Sequence, residues 1–156
     1  MLRAEAIIRW RNIALRDEEP LIDLTTELGV RAAKRLKEEY VVWLTTVSPN
    51  GCPQPNPVWF YWDGKVMLMY SQPSAHKVSN IARNPKVSVN FQADDEGNDV
   101  VVLTGTASID PNPSKHDPRY LQKYRDHIPK IGLTPESLAK SYSVLITVSP
   151  NKLRGF

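Results

Sequence analysis

The sequence predicts a mainly β protein, in which six antiparallel strands form a closed or split β-barrel with short helices. Six short runs rich in β-branched and aromatic residues are separated by Gly, Pro, Asn and Asp turn signals. Tight turns between successive runs are typical of antiparallel pairing. Closing the sheet also removes the exposed edges that such apolar strands would otherwise present. The 156 residues are enough to bury one hydrophobic core.

An amphipathic helix precedes the strands and begins the predicted domain, residues 23–156. Within residues 23–40, apolar or small side chains recur every four positions, which places them on one face of a helix. Asp23 or one of the threonines after it is expected to cap the first amides. Residues 1–22 are treated as an N-terminal extension, with arginines between short apolar groups but no continuous apolar centre of a secretory signal.

The second strand is unusual because alternating prolines precede its aromatic residues. Pro53, Pro55 and Pro57 cannot donate ladder hydrogen bonds, so the start of this strand is expected to be irregular or at a sheet edge. Short helices are expected from Ser74 to Asn84 and within the proline-rich segment 111–141. The six predicted strands are YVVWLTTVS, PVWFYW, KVMLMYS, KVSVNFQA, VVVLTGTASID and SVLITVSP.

Composition narrows the classes of function. A net charge of +3 is too small an excess to indicate a nucleic-acid binder. No apolar run approaches the roughly 20 residues of a membrane span, and a cytoplasmic protein without a membrane partner is expected. Cys52 is the only cysteine, and the three histidines lack the spacing of metal ligands, so no metal site is expected.

The sequence lacks the motifs of enzymes that use their own side chains. It contains neither a G-x-S-x-G nucleophile motif nor a glycine-rich phosphate loop, and it has only 7 glycines. The catalytic side chains therefore stay unassigned. Any chemistry is expected to be supplied by a bound cofactor.

An anion site is one interpretation of the segment from Tyr70 to Ile81. Serines and Lys77 fall where a strand ends and a helix begins. Free amides at a helix N-terminus, hydroxyl donors and an ammonium group together favour a phosphate. In the alternative interpretation, Ser74 only caps the helix and Lys77 is solvated; the residues themselves leave both open.

The aromatic second strand gives another signal. Alternation sends Trp59 and Tyr61 to one face of the sheet and Val58, Phe60 and Trp62 to the other. Apolar residues on both faces predict that one face is covered by the core and the other by a ligand or a partner. The ordinary alternative is that the strand belongs to the core alone.

The order of these motifs resembles that of the pyridoxamine 5′-phosphate oxidase-like split-barrel superfamily. The chain carries Gly-x-Pro-x-x-x-Pro-Val-Trp-Phe, then Trp-Asp-Gly, then Ser-x-x-Ser-x-x-Lys-x-x-Asn-Ile, and then Asn-Pro-x-Val-Ser-Val. Within that superfamily it is most similar to the flavin/deazaflavin oxidoreductases, which bind FMN or the deazaflavin coenzyme F420. The resemblance covers residues 23–156 and implies a homodimer whose cofactor pocket lies across the subunit interface.

The resemblance also implies the cofactor-binding residues. Lys77 and Ser71 would contact the cofactor phosphate, and the stretch from Gln54 to Phe60 would line the ring system. Tyr70 is a nearby hydroxyl that could supply a proton, and Arg154 is a C-terminal candidate. The complete set is Gln54, Asn56, Pro57, Val58, Trp59, Phe60, Tyr70, Ser71, Ser74, Lys77, Asn80 and Arg154.

Three functions follow from this resemblance. The first is an F420-dependent oxidoreductase that transfers a hydride to a small unsaturated or quinone-like molecule. The second uses FMN on the same fold, and the third is a non-catalytic carrier of a cofactor or of haem. The ending Lys152-Leu153-Arg154-Gly155-Phe156 lacks the arginine-rich substrate signature of pyridoxamine 5′-phosphate oxidase proper. Vitamin B6 oxidation is therefore not the expected reaction.

Overall fold

The computed structural model describes residues 22–156, so the predicted extension 1–22 lies outside the described residues apart from Ile22. Within these described residues, the four helices are α1 (Glu27–Glu38), α2 (His76–Arg83), α3 (Pro118–Tyr124) and α4 (Pro135–Ser141), and a 3-10 turn covers Pro129–Ile131. The seven strands are β1 (Val41–Val47), β2 (Pro53–Trp59), β3 (Tyr61–Trp62), β4 (Met67–Ser71), β5 (Lys86–Asn90), β6 (Val101–Asp110) and β7 (Val144–Gly155).

All seven strands belong to one antiparallel sheet with the order β2-β1-β5-β6-β7-β4-β3. The two edge strands, β2 and β3, are consecutive in the chain and only Phe60 separates them. The sheet therefore has to curl until its two edges meet at this residue. The result is a half-barrel of the split-barrel kind, as the sequence predicted.

The prediction of six strands was wrong by one, because the predicted strand PVWFYW is two strands. It breaks at Phe60, whose backbone N–H donates to the Tyr124 hydroxyl over 2.8 Å. The same hydroxyl lies 2.8 Å from the Phe60 carbonyl oxygen, and Lys123 Nζ donates to that oxygen over 3.0 Å. Side chains of α3 thus take the hydrogen bonds that a neighbouring strand would have made.

The prolines of β2 lie on a sheet edge, as predicted. Pro53, Pro55 and Pro57 pair with Val47, Thr45 and Trp43 of β1. Because a proline has no N–H, these are the pairs that exchange no hydrogen bonds, and the carbonyl groups of all three prolines point away from β1. The free edge of β2 therefore offers acceptors without donors along this stretch.

Helix α1 covers one opening of the curled sheet. Thr26 is its N-cap and accepts a hydrogen bond from Gly29 N over 3.0 Å. Ala32 and Leu36, two members of the predicted stripe, are fully buried in the main core. Among residues 22–156, no helix has the length and apolar character needed to cross a membrane.

A second apolar cluster lies on the outer face of β4 and β7. Helices α3 and α4 pack Tyr120, Tyr124 and Leu138 there, against Tyr70 of β4. The predicted alternation in the aromatic strand is confirmed, since Trp59 and Tyr61 join this cluster while Val58, Phe60 and Trp62 join the main core. The face expected to meet only a ligand or a partner is thus largely covered by α3 and α4.

Candidate functional site

A cleft of about 250 Å³ opens beside this second cluster. The end of β2 forms one wall, Tyr70 of β4 and Lys77 of α2 lie opposite, and the segment between β6 and β7 closes it. Its lining is aromatic and aliphatic apart from the Lys77 ammonium and the tyrosine hydroxyls. The lining residues are Pro57, Val58, Trp59, Tyr70, Lys77, Tyr120, Ile131, Leu138 and Tyr142.

Lys77 is the cation of this cleft. Half-burial lowers the pKa of its ammonium group, and within residues 22–156 it forms no ion pair with a carboxylate. It sits in the first turn of α2, whose N-cap, Ala75, has no side-chain hydrogen bond to the first amides. A desolvated cation beside free helix amides is a suitable site for an anion such as a phosphate.

The serines and Asn80 are placed differently from one another. Ser71 is buried, and its hydroxyl donates only a long 3.3 Å bond to Gln72 O. Ser74 is exposed and does not cap α2, which begins two residues later than predicted. Asn80 is buried and donates to Thr46 Oγ1 over 3.0 Å and to Gln54 Oε1 over 2.8 Å. Asn80 and Gln54 thus tie α2 to the sheet.

The remaining predicted residues of β2 divide between the cleft and the core. Pro57, Val58 and Trp59 line the cleft. Asn56 pairs with Leu44 on the same face of the sheet as the buried core and is half-buried. Phe60 is fully buried and holds the junction of the two sheet edges, so it supports the cleft without lining it.

Arg154 is separated from Lys77. It lies on the outer face of the sheet, in a shallow groove with Trp43, Pro55 and Asn90. It pairs with Val102 of β6, whereas the Lys77 cleft opens at β2 and β4. Within one chain, the fold therefore does not bring Arg154 to the cleft.

Two tyrosines in the cleft were not predicted from the sequence. Tyr120 of α3 and Tyr142, the residue after α4, line the cleft with Tyr70. Tyr120 lies within the proline-rich segment 111–141, which the sequence predicted only as short helices, and Tyr142 follows directly after it. The available signal was the four-residue spacing of Tyr120 and Tyr124, which places both on one face of α3.

The Tyr70 and Tyr120 hydroxyls are neutral proton carriers. Burial raises the pKa of both phenols, most strongly that of Tyr120. Tyr70 Oη accepts a 2.7 Å hydrogen bond from Asp117 N, so its own proton stays available. Among residues 22–156, no acceptor for the proton of either hydroxyl lies within hydrogen-bond distance. The cleft thus presents two phenolic donors to whatever it binds.

His116 supports Tyr70 from behind the cleft. Its ring stacks on the Tyr70 ring with centroids 3.8 Å apart, and the residue is buried. Nε2 lies 2.8 Å from the Tyr142 carbonyl oxygen, which can only accept, so Nε2 carries the proton. Nδ1 is then a buried acceptor without a partner in the described part of the chain. Burial lowers the pKa of His116 accordingly.

Metal binding has no support in this part of the chain. Residues 22–156 contain no group of three His, Cys, Asp or Glu side chains close enough to hold an ion.

Comparison with known proteins identifies one family model and several solved structures that are similar to this chain. The family model described as pyridoxamine 5′-phosphate oxidase matches residues 30–155. No protein of curated function matches the chain in sequence.

Solved structures share this fold. One described as an F420 reductase is 26% identical, with a TM-score of 0.60, and the match covers 78% of this chain and 94% of that one. A putative pyridoxamine 5′-phosphate oxidase from Listeria innocua is 25% identical, with a TM-score of 0.61 and coverage of 82% and 97%. HutZ, described as a haem storage protein from Vibrio cholerae, is 16% identical, with a TM-score of 0.59 and coverage of 83% and 95%, and it shows the fold alone.

Proposed function

This chain belongs to the pyridoxamine 5′-phosphate oxidase family, as its motifs predicted, and from that premise we propose that it is an oxidoreductase dependent on coenzyme F420. The proposed acceptor is a small unsaturated or quinone-like molecule. The observation that carries the proposal is Lys77, a half-buried ammonium without a carboxylate partner among residues 22–156, in a cleft that is otherwise uncharged. The likeness to the F420 reductase supports the choice of cofactor.

The residues present fit a phosphorylated, flat, redox-active cofactor. Lys77 and the first amides of α2 would hold the phosphate. Trp59 and Pro57 offer flat apolar surface to the ring system. The carbonyl groups along the free edge of β2 can accept hydrogen bonds from N–H groups of the heterocycle. When bound, the reduced deazaflavin supplies the hydride.

The protein's own part in the reaction is to exclude water and to donate a proton. The Ile131 and Leu138 side chains cover the cleft with apolar surface. Reduction of an unsaturated acceptor by a hydride leaves an anion that has to be protonated. Tyr120 is the proposed donor, because it lines the cleft and its hydroxyl makes no hydrogen bond among residues 22–156, whereas the Tyr70 oxygen already accepts from Asp117 N.

A homodimer is part of this proposal. The cleft of about 250 Å³ is smaller than the roughly 300–1,000 Å³ of complete small-molecule sites, so it needs a further wall. The outer sheet face beside it exposes Val41 and Trp43, which pair with the cleft residues Trp59 and Pro57. A second copy packed there would supply that wall, and Arg154 on the same face would reach the cofactor only across the interface.

The experiment that tests the proposal is equilibrium binding of F420 and FMN side by side, followed by turnover with a panel of enone and quinone acceptors. Tight binding of F420 with weak binding of FMN supports the proposal. Preferential binding of FMN moves the assignment to a flavin enzyme on the same site. Binding of neither cofactor would overturn both and favour a carrier of another ligand, for which haem is the first candidate to test.

A further inference from the structure

A second cleft, independent of the proposed cofactor site, lies between α1, α3 and the turn from β3 to β4. Its volume of about 370 Å³ falls within the range of small-molecule sites. Its wall contains two aromatic rings, two lysines, one carboxylate and a glycine. The residues on which the argument depends are Lys37, Tyr61, Trp62, Asp63, Gly64 and Lys123.

Lys123 is the unusual group in this cleft. Its Nζ donates to Phe60 O over 3.0 Å and lies 3.8 Å from the centroid of the Phe60 ring. Two of its three N–H groups are left for other acceptors, and within residues 22–156 it forms no ion pair. Burial lowers its pKa to about 8. At neutral pH it is thus a largely charged group that is half removed from water. The nearby Glu39 carboxylate attracts this charge but is itself ion-paired with Arg35.

The other charged groups that line the cleft are Lys37 and Asp63, and neither is paired with the Lys123 ammonium group. Lys37 is a second cation at the exposed rim. The Asp63 carboxylate is the opposing charge, but its Oδ1 accepts hydrogen bonds from Lys65 N and Val66 N, both over 2.8 Å. Asp63 therefore holds the turn, and among residues 22–156 no carboxylate forms an ion pair with either ammonium group.

The apolar part of the wall is flat. Trp62 and Tyr61 are half-buried and both border the cleft, but their side chains lie on opposite faces of β3, and the Trp62 ring is the one on the side of the main core and α1. The Arg119 guanidinium over the Tyr61 ring is paired with Asp117 and is not available to a ligand. An aromatic ring beside two cations matches a planar molecule that carries one negative group.

We propose that this cleft is a second ligand site, which binds a small aromatic carboxylate. The carboxylate contacts the ammonium groups of Lys123 and Lys37, and the ring packs against Trp62. The site does not depend on the identity of the cofactor, because Phe60 and Tyr124 separate it from the Lys77 cleft.

Titration of the ¹⁵N-labelled full-length protein with benzoate at neutral pH tests the proposal, with benzamide as the uncharged analogue. Benzoate is expected to give saturable shifts of the Gly64 and Asp63 amides and of the Trp62 indole N–H, whereas benzamide binds much more weakly. Equal binding of the two probes would overturn the proposal. So would shifts confined to the Lys77 cleft, at Ile131 and Tyr142, or no saturable shift with either probe.

Substitutions of Lys123 and Lys37 test whether these two ammonium groups bind the benzoate carboxylate. Lys123→Met is expected to weaken benzoate binding roughly tenfold, because it removes a charge-assisted hydrogen bond. Lys37→Met, at the exposed rim, is expected to weaken it only about two- to threefold and to leave folding intact, because the side chain is exposed. Lys115→Met, an exposed lysine outside the cleft, serves as the matched control. Unchanged affinity in both cleft variants would overturn the assignment.

Discussion

The Trp59 and Tyr124 rings stack with their centroids 4.4 Å apart and their planes within 5° of parallel. Trp59 lines the Lys77 cleft, whereas Tyr124 is fully buried and uses its hydroxyl to hold Phe60 between the two sheet edges. One side chain of α3 therefore supports both the closure of the sheet and a wall of the cleft. The stability of the fold and the shape of the site are coupled through this contact.

Tyr124→Phe is expected to lower the free energy of unfolding by about 1–3 kcal/mol. The hydroxyl accepts from Phe60 N and lies 2.7 Å from Tyr40 O and 2.8 Å from Phe60 O, to one of which it donates. Its loss leaves buried backbone groups unpaired. Urea denaturation measures the effect, and Tyr40→Phe, at a side chain 43% exposed, is the control. Equal stability of both variants and the parent would contradict this role.

Lys77→Ala is expected to weaken binding of the phosphorylated cofactor by roughly 1.5–3 kcal/mol, about tenfold or more in Kd. The reason is the loss of one charge-assisted contact from a half-buried ammonium. Equilibrium titration followed by cofactor fluorescence provides the measurement. Lys34→Ala, on the exposed face of α1, should bind as the parent does. An unchanged dissociation constant in Lys77→Ala would contradict the proposal that Lys77 binds the cofactor phosphate.

Local sequence patterns were sufficient to predict the helix α1 and the edge position of β2. They were not sufficient to predict the break in the second predicted strand. The four-residue stripe predicted α1, and the prolines of β2 predicted an edge, because each depends on neighbours in sequence. The break at Phe60 depends on a hydroxyl 64 residues further along the chain. Such a contact leaves no periodic signal, which is why six strands were expected where there are seven.

The residues of the Lys77 cleft also fall into those that the sequence predicted and those that it did not. Pro57, Val58, Trp59, Tyr70 and Lys77 come from segments that a family motif marks, and the fold does bring them to one cleft. Tyr120 and Tyr142 come from a segment without a motif. Their position is set by how α3 and α4 pack on the outer sheet face, which no local pattern encodes.

Acid is expected to destabilise the protein through His116. Burial holds its pKa below the ordinary value of 6.5, so the unfolded chain binds the proton more readily than the folded one. The free energy of unfolding should therefore fall as the pH is lowered through roughly 6.5 and below. Denaturation curves at a series of pH values, for the parent and for His116→Gln, measure this contribution. A glutamine amide can still donate to Tyr142 O, and a variant with an unaltered pH dependence would exclude His116 as the cause.

Tyr120→Phe is expected to lower kcat by about 100-fold if its hydroxyl is the proton donor, since general-acid catalysis typically contributes at least this much. The cofactor dissociation constant should stay unchanged, because the substitution keeps the buried ring. A solvent isotope effect on kcat gives a second readout, which should increase when water replaces the phenol. Tyr142→Phe is the comparison in the same cleft. A parent-like kcat in Tyr120→Phe would assign the proton to Tyr70 or to water.

Trp43→Lys is expected to convert the proposed homodimer into a monomer. The Trp43 side chain is 37% exposed on the outer sheet face, directly opposite Pro57 of the cleft wall. A charge buried in the proposed interface without a partner would cost several kcal/mol. Sedimentation velocity at micromolar concentrations gives the oligomeric state. Val30→Lys is the matched control, since Val30 is 60% exposed on α1, away from this face.

The monomeric variant should also bind the cofactor more weakly, because the cleft then lacks the wall supplied by the second copy. A monomeric parent, or a dimer that tolerates Trp43→Lys, would refute this interface.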